Sequence, residues 1–138
     1  MDNRWTHAAL EWEELLGELG RRMRAVNPTL HVQIDHHSTP VFPLRATASF
    51  STGGPGGDED VAVSLNIRQT GDGFEVTSDV ARGDGYVVAD GPRRVVDAAD
   101  DASLSSALAE TASFVRSQQQ TVSDELRKGP GKDSGAGR

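Results

Sequence analysis

The amino-acid sequence predicts an α+β fold: an N-terminal helix, a four- to five-stranded antiparallel meander and a C-terminal helix, with both helices on one face of the sheet. Apolar residues recur every three or four positions at both ends of the chain and every second position between them, which are the periods of a helix and of a half-buried strand. Asp-Gly pairs at 72–73 and 84–85 are turn signals between the later strands. Because each strand offers one apolar row, a single layer of helices is enough to cover the sheet.

The first helix is predicted to end at Asn27, because a residue that precedes proline disfavours helical backbone angles. Its apolar positions fall on one stripe, which comprises Trp5, Ala8, Trp12, Leu15, Leu16, Leu19, Met23 and Val26. Glu11, Glu14 and Glu18 lie largely outside that stripe. The outer side of this helix is therefore predicted to be acidic.

The strands are predicted where the apolar period changes to two. The first runs through Leu30, Val32 and Ile34, and the next two carry longer apolar rows: Leu44, Ala46, Ala48 and Phe50, then Val61, Val63, Leu65 and Ile67. The strand residues that follow the two turn signals are Phe74, Val76 and Val80, then Tyr86, Val87 and Val88. The glycine-rich segment 53–57 predicts a flexible hairpin loop and not a phosphate cradle, since acidic residues and a strand follow it in place of a helix.

One C-terminal helix is predicted after Asp100 or Asp101, either of which can cap its start. Its apolar stripe, interrupted by Gln118 and Gln119, comprises Leu104, Leu108, Ala112, Val115, Val122 and Leu126. Residues 1–127 are therefore expected to form a single α+β domain. Residues 128–138 are rich in glycine and small polar residues and are expected to form a disordered tail.

The composition excludes several classes of function. Cysteine is absent, which excludes disulfides, thiolate catalysis and Cys-ligated metal sites. Lys128 and Lys132 are the only lysines, so the body has no amine for a Schiff base and no phosphate-loop lysine. The net charge is −7 and the tail carries +2, so the body holds −9. So acidic a body argues against nucleic acid as a partner.

The sequence also bears on location. No apolar run approaches the length of a membrane span, and the N-terminus has no basic segment followed by an apolar one. We therefore expect a cytoplasmic protein without a membrane partner. The preference for Arg over Lys, together with abundant Ala, Gly, Val and Asp, is typical of a GC-rich bacterial genome.

A sheet that is covered on one face leaves a polar face open to water or to a partner. We expect this face to carry the outward residues of the strands, which are His31, Gln33, Asp35, Arg45, Thr47, Ser49, Ser64, Asn66, Arg68, Glu75, Thr77 and Asp79. The predicted contact with a protein partner on this face involves Arg45, Thr47, Asn66 and Arg68. A second candidate surface, suited to a basic partner, consists of Glu11, Glu14 and Glu18. An unpaired edge strand also makes a homodimer an option.

Three of the four histidines fall in the segment HVQIDHH, residues 31–37. In a strand, alternate residues share a face, so His31, Asp35 and His37 project together, while His36 points inward or lies past the strand end. Two imidazoles and a carboxylate suit zinc or non-haem iron, although His31 is too far from His37 unless the strand bends. We favour the simpler interpretation, which is a polar strand face that ends in a turn.

These observations predict a small acidic protein-binding module without catalytic activity and without a cofactor. Its helix–sheet–helix order resembles that of bacterial secretion chaperones and of some toxin-neutralising immunity proteins. The resemblance is one of layout, and it implies a chaperone-, adaptor- or immunity-like role. The alternative is a small-molecule or metal-binding protein, an enzyme included, with a site around His31, Asp35 and His37.

Overall fold

The computed structural model describes residues 3–53 and 59–128. Within these ranges the chain forms three helices and six strands. In chain order they are α1 (Asn3–Val26), β1 (His31–His37), β2 (Leu44–Ser51), β3 (Val61–Thr70), β4 (Gly73–Arg82), β5 (Val87–Asp90), β6 (Arg94–Asp97), α2 (Asp101–Ser117) and α3 (Gln119–Lys128). No helix in these ranges is both long and apolar enough to span a membrane.

The strands form one antiparallel sheet. β1, β2, β3 and β4 follow one another as a meander, and β5 and β6 both pair with β4. β5 lies along one half of β4, where Asp79 faces Asp90, and β6 lies along the other half, where Glu75 faces Val95. β1 is therefore one edge of the described sheet, and β5 together with β6 forms the other.

The apolar row of each central strand points toward the helices. The predicted inward residues of β2 and β3 are almost completely buried, and they are Leu44, Ala46, Ala48, Phe50, Val61, Val63, Leu65 and Ile67. α1 contacts β1 and β2, α2 contacts β4 and β6, and α3 contacts β3. The predicted α+β class, with the helices on one face of an antiparallel sheet, is confirmed.

α1 presents its predicted stripe to this core. Trp12 and Leu16 are buried, and the Trp5 ring contacts the Phe74 ring edge to face, with the two ring centroids 4.8 Å apart. Val26, the last predicted member of the stripe, is instead exposed. It is the last residue of the helix, so the prediction extended the buried stripe too far.

The predicted C-terminal helix is in fact two helices. α2 and α3 are separated at Gln118, whose backbone N–H donates to the Val115 carbonyl oxygen at 3.0 Å, a tight turn at the end of α2. Val122 and Leu126 of α3 are both buried. The polar interruption of the stripe at Gln118 and Gln119 is therefore a break between helices.

The start of α2 agrees with the prediction. Asp100 is the N-cap, and its carboxylate accepts hydrogen bonds from the backbone N–H of Ser103 at 3.0 Å and from the Ser103 hydroxyl at 2.7 Å. These hydrogen bonds lower the pKa of Asp100. Close by, the Arg4 guanidinium donates to the Ala98 carbonyl oxygen at 2.7 Å, which connects the start of α1 to the chain just before α2.

β6 is absent from the sequence prediction. It contains only two strongly strand-forming residues, Val95 and Val96, and it closely follows Pro92. Tertiary contacts stabilise it: Val96 is buried in the core, and Arg94 Nε donates to Glu110 Oε1 of α2 at 2.6 Å. Because residues distant in sequence supply these contacts, the apolar pattern of residues 94–97 alone does not indicate a strand.

Two predictions concern residues that the structure does not describe. The flexible loop predicted at 53–57 lies outside the described residues except for Gly53, and residues 129–138 of the predicted tail lie outside them entirely. Lys128, which we assigned to the tail, is the last residue of α3, and its Nζ donates to Glu125 Oε2 at 2.9 Å.

We predict that Gly73→Ala detaches β6 from β4. A Cβ at Gly73 would overlap the carbonyl oxygen of Val96, which is backbone and cannot move without disturbing the strand pair. Crowding of this kind costs about 1–3 kcal/mol, measurable as a lower denaturant midpoint. The matched control is Gly71→Ala in the same turn, because nothing lies within 4 Å of its Cβ position. Equal stability of the two variants would contradict this strand pairing.

Candidate functional site

The face of the sheet that points away from the helices is the open face, and strand register arranges its residues in rows across the strands. We name the two central rows. The acid row consists of Asp35, Thr47, Ser64, Asp79 and Asp90. The arginine row consists of His37, Arg45, Asn66, Thr77 and Arg93. Arg93 is the residue immediately before β6 and lies at the end of this row.

The structure brings together the four open-face residues that were predicted to contact a partner. Arg45 faces Asn66 across β2 and β3. Thr47 lies one row to one side of this pair and Arg68 one row to the other side. Arg45 Nε donates to Asn66 Oδ1 at 2.9 Å, and the guanidinium lies 4.4 Å from the centroid of the Phe42 ring. These contacts hold the guanidinium in place, and within residues 3–53 and 59–128 its terminal N–H groups have no acceptor.

Glu75, which we predicted to be open to water, is instead only 6% exposed. Arg68 donates from Nε and Nη2 to Glu75 Oε1 at 3.2 and 2.9 Å, and Arg93 Nε donates to Glu75 Oε2. The hydrogen bonds from Arg68 and then from Arg93 lower the pKa of Glu75, against the opposing effect of burial. The Arg68–Glu75 pair follows from the hairpin register, whereas Arg93 comes from a connection that sequence patterns do not place.

Two carboxylates of the acid row face each other, Asp79 on β4 and Asp90 on β5. Burial and then the neighbouring charge of Asp90 raise the pKa of Asp79. Like charges directly opposite each other destabilise a sheet. A cationic group placed over this pair would therefore be favourable.

β1 carries His31, Asp35 and His37 on the open face. The two histidines are at opposite ends of the strand, roughly 20 Å apart along an extended chain. His37 lies beside Arg45 on β2, and Asp35 Oδ2 accepts a hydrogen bond from Gln33 Nε2 at 3.0 Å. In the ranges that the structure describes, no group of three or more His, Cys, Asp or Glu side chains is placed to hold a metal ion.

A groove of about 420 Å³ runs between α1 and α2, and we call it the α1–α2 groove. Its acidic wall comes from α1 and contains the second predicted candidate surface, Glu11, Glu14 and Glu18. Its floor is apolar and comes from both helices, through Trp12, Leu15, Leu108 and Ala112. Arg21 and Arg116 complete the lining.

The three carboxylates of this wall differ in their ion pairs. Glu18 is paired twice, with Oε2 3.2 Å from Arg22 Nη2 and Oε1 3.8 Å from Arg116 Nε. Glu11 has only a histidine nitrogen nearby, at 3.9 Å. Glu14 has no ion-pair partner among the described residues. The groove lining therefore has three carboxylates and two guanidiniums, and among the described residues Glu11 and Glu14 have no Lys or Arg nitrogen within 4 Å.

Trp12 in the groove lining is 2% exposed, and its indole N–H has no hydrogen-bond partner among the described residues. A buried donor without an acceptor costs about 1–3 kcal/mol. Sequence reasoning treated Trp12 only as a core residue of the α1 stripe. No sequence pattern indicates that its polar atom is unpaired.

Comparison with known proteins identifies no relative. No family model, no curated protein and no solved structure matches this chain. The open face and the α1–α2 groove are therefore the surfaces whose geometry and charge bear on function.

We predict that Glu75→Gln lowers stability at neutral pH by about 1–2 kcal/mol, because an amide cannot accept all the hydrogen bonds from Arg68 and Arg93. Solvent screening of the two exposed guanidiniums keeps the figure small. Since the folded-state pKa of Glu75 lies below its ordinary value of 4.5, its contribution is present above that pH. The contribution is lost as pH falls through the folded-state pKa.

Urea denaturation of the wild type and of Glu75→Gln at several pH values measures this difference. Glu14→Gln is the control, because Glu14 is exposed and belongs to no ion pair among the described residues. We expect Glu14→Gln to leave stability almost unchanged at every pH. A Glu75→Gln effect that persists undiminished at pH values well below 4.5 would contradict the assigned cause.

Proposed function

We propose that this chain is a non-catalytic protein-binding module of the chaperone, adaptor or immunity type, acting in the bacterial cytoplasm. We further propose that its α1–α2 groove receives a basic, partly apolar segment of another protein. The observation that supports this proposal is the groove itself, in which an acidic wall borders an apolar floor.

The size and lining of the groove suit a peptide segment. Its volume of about 420 Å³ falls within the range of about 300–1,000 Å³ for small-molecule pockets, so the groove would hold a few side chains of a segment that extends beyond it. Burial of apolar side chains against Leu108 and Ala112 would supply affinity, and the carboxylates would orient the segment. An amphipathic helix laid in a groove between two helices is a common mode of peptide recognition.

Charge supports a basic occupant. Glu14 lacks an ion-pair partner among the described residues, and Glu11 has only a distant histidine. The acidic body, with a net charge of −9 apart from the tail, attracts basic partners over a distance and speeds their capture. A salt-dependent association follows, because salt screens exposed charges.

The groove is a better candidate for this partner than the open-face residues that we ranked first from sequence. Arg45 is bound to Asn66, and Arg68 donates two hydrogen bonds to buried Glu75. A partner that recruited the Arg68 guanidinium would have to compete with Glu75. The Glu14 carboxylate has no such competitor among the described residues.

We predict that selection from a random peptide display library against the purified protein enriches sequences that combine Arg or Lys with apolar residues. Glu14→Arg should weaken binding of the selected peptides at least about threefold, because it replaces an attractive charge with a repulsive one. Titration calorimetry at low and high salt measures the effect.

Glu13→Arg is the matched control, since Glu13 is the neighbouring glutamate on α1, lies outside the groove lining and is near His36, with Oε2 3.5 Å from Nδ1. Its effect on peptide binding should be much smaller. Enrichment of acidic peptides, or equal loss of binding in Glu13→Arg and Glu14→Arg, would contradict the proposal.

A further inference from the structure

The charges on the open face are arranged so that two copies of the face can pair with opposite charges in contact. We propose that two copies of this chain pair through their open faces, about a twofold axis that runs across the strands between the acid row and the arginine row. This inference is independent of the α1–α2 groove, which lies in the helix layer on the other side of the sheet. It concerns only residues of the strands and of the β5–β6 connection.

The geometry follows from strand register. The acid row and the arginine row are two residues apart along each strand, or about 6.8 Å. A twofold rotation about an axis midway between them places the acid row of one copy over the arginine row of the other. β1 to β4 then each lie over the same strand of the partner, and β5 lies over the partner's β6. This is the aligned arrangement that packed sheets commonly adopt.

The superposed residues are complementary in charge at the β5 end of the rows, and at the β1 end they can form a hydrogen bond between a carboxylate and an imidazole N–H. Asp90 comes to lie over the partner's Arg93, and Asp35 over the partner's His37. In the centre, Thr47 lies over the partner's Arg45, whose terminal N–H groups donate to no acceptor among the residues that the structure describes. Asp79, whose carboxylate has no cationic partner among the described residues, lies over the hydroxyl of the partner's Thr77.

Two exposed valines provide an independent indication. Val87 faces Ala81 in the row next to the acid row, just past a register shift between Val80 and Ala81, and is 43% exposed. Val95 faces Glu75 in the row next to the arginine row and is 66% exposed. The same rotation, chosen for the charges alone, places Val87 over the partner's Val95. Exposed apolar residues brought together in this way are typical of an interface.

The net charge and the area of the open face both permit self-association. Its four central rows contain four carboxylates, Asp35, Glu75, Asp79 and Asp90, and three guanidiniums, Arg45, Arg68 and Arg93, so it is nearly neutral although the body is strongly acidic. Five strand positions and four rows cover roughly 600 Å². A standard interface buries about 800 Å² per partner, so we expect a dimer that dissociates on dilution.

Other placements of the axis lose this complementarity. An axis along the acid row would set Asp79 and Asp90 against the same carboxylates of the partner. An axis along the arginine row would set Arg45 against the partner's Arg45. Like charges brought together at an interface cost free energy, which disfavours these two arrangements. The charges of the open face therefore favour an axis between the acid row and the arginine row.

Sedimentation equilibrium of the full chain over a range of concentrations tests the proposal. We expect the wild type to dimerise. Val95→Lys and Val87→Asp should each raise the dissociation constant at least about tenfold, because each buries a charge against a valine. An equimolar mixture of the two variants should dimerise again. In the mixed dimer the introduced lysine meets the introduced aspartate on one side of the axis, and the unchanged Val87 meets the unchanged Val95 on the other side.

The control is Leu10→Lys, which changes an exposed apolar residue of α1 on the helix side and should leave dimerisation unchanged. Circular dichroism checks that each variant is folded. A wild type that stays monomeric at all concentrations would overturn the proposal. So would a dimer that persists in both single variants, or single variants that fail to associate when mixed.

Discussion

Burial of one face of the sheet is the constraint on which the rest of the structure depends. Phe50, Val63 and Leu65 of the central strands have no exposed surface, and full burial of one such side chain contributes about 1.5–3 kcal/mol. Because successive strand residues point to opposite faces, packing this row against the helices also fixes which residues face outward. A register slip of one residue would carry Arg45 and Asn66 into the core. The arrangement of the open face is therefore a consequence of core packing.

The acidity of the chain is unevenly distributed between its two candidate surfaces. The wall of the α1–α2 groove has carboxylates that the described protein neutralises only in part, whereas arginines from β2, β3 and the β5–β6 connection balance the acids of the open face. The net charge of the whole chain therefore does not indicate the local charge of either surface. The two surfaces lie on opposite sides of the molecule, so a dimer formed through the open faces would present two grooves outward. Two linked grooves would bind a repeated or dimeric partner more tightly than one groove does.

Sequence patterns predict the elements whose apolar residues are both periodic and local. The α1 stripe, the inward rows of β2 and β3 and the Asp100 cap all have this character, and the structure has them as predicted except at Val26. β6 was missed because its burial depends on α2. The break at Gln118 was missed because Val115 and Val122 are seven residues apart, a spacing that also fits one face of an uninterrupted helix. Alternation also places Glu75 on the outer face, but its burial requires Arg93 from a segment without a pattern. Alternation along a strand therefore predicts which residues face outward. It does not predict which side chains from distant segments contact them.

Thiol accessibility along β2 and β3 tests the one-sided burial most directly, because the chain has no cysteine of its own. Single cysteines substituted for Ser49 and Ser64 lie on the open face, and those substituted for Ala46 and Ala48 lie under the helices. At a concentration low enough to keep the protein monomeric, the first pair should react readily with a thiol reagent. The second pair should react at least about a hundredfold more slowly, through opening of the structure. Equal rates for the two pairs, or faster reaction at positions 46 and 48, would contradict a sheet that is covered on this face alone.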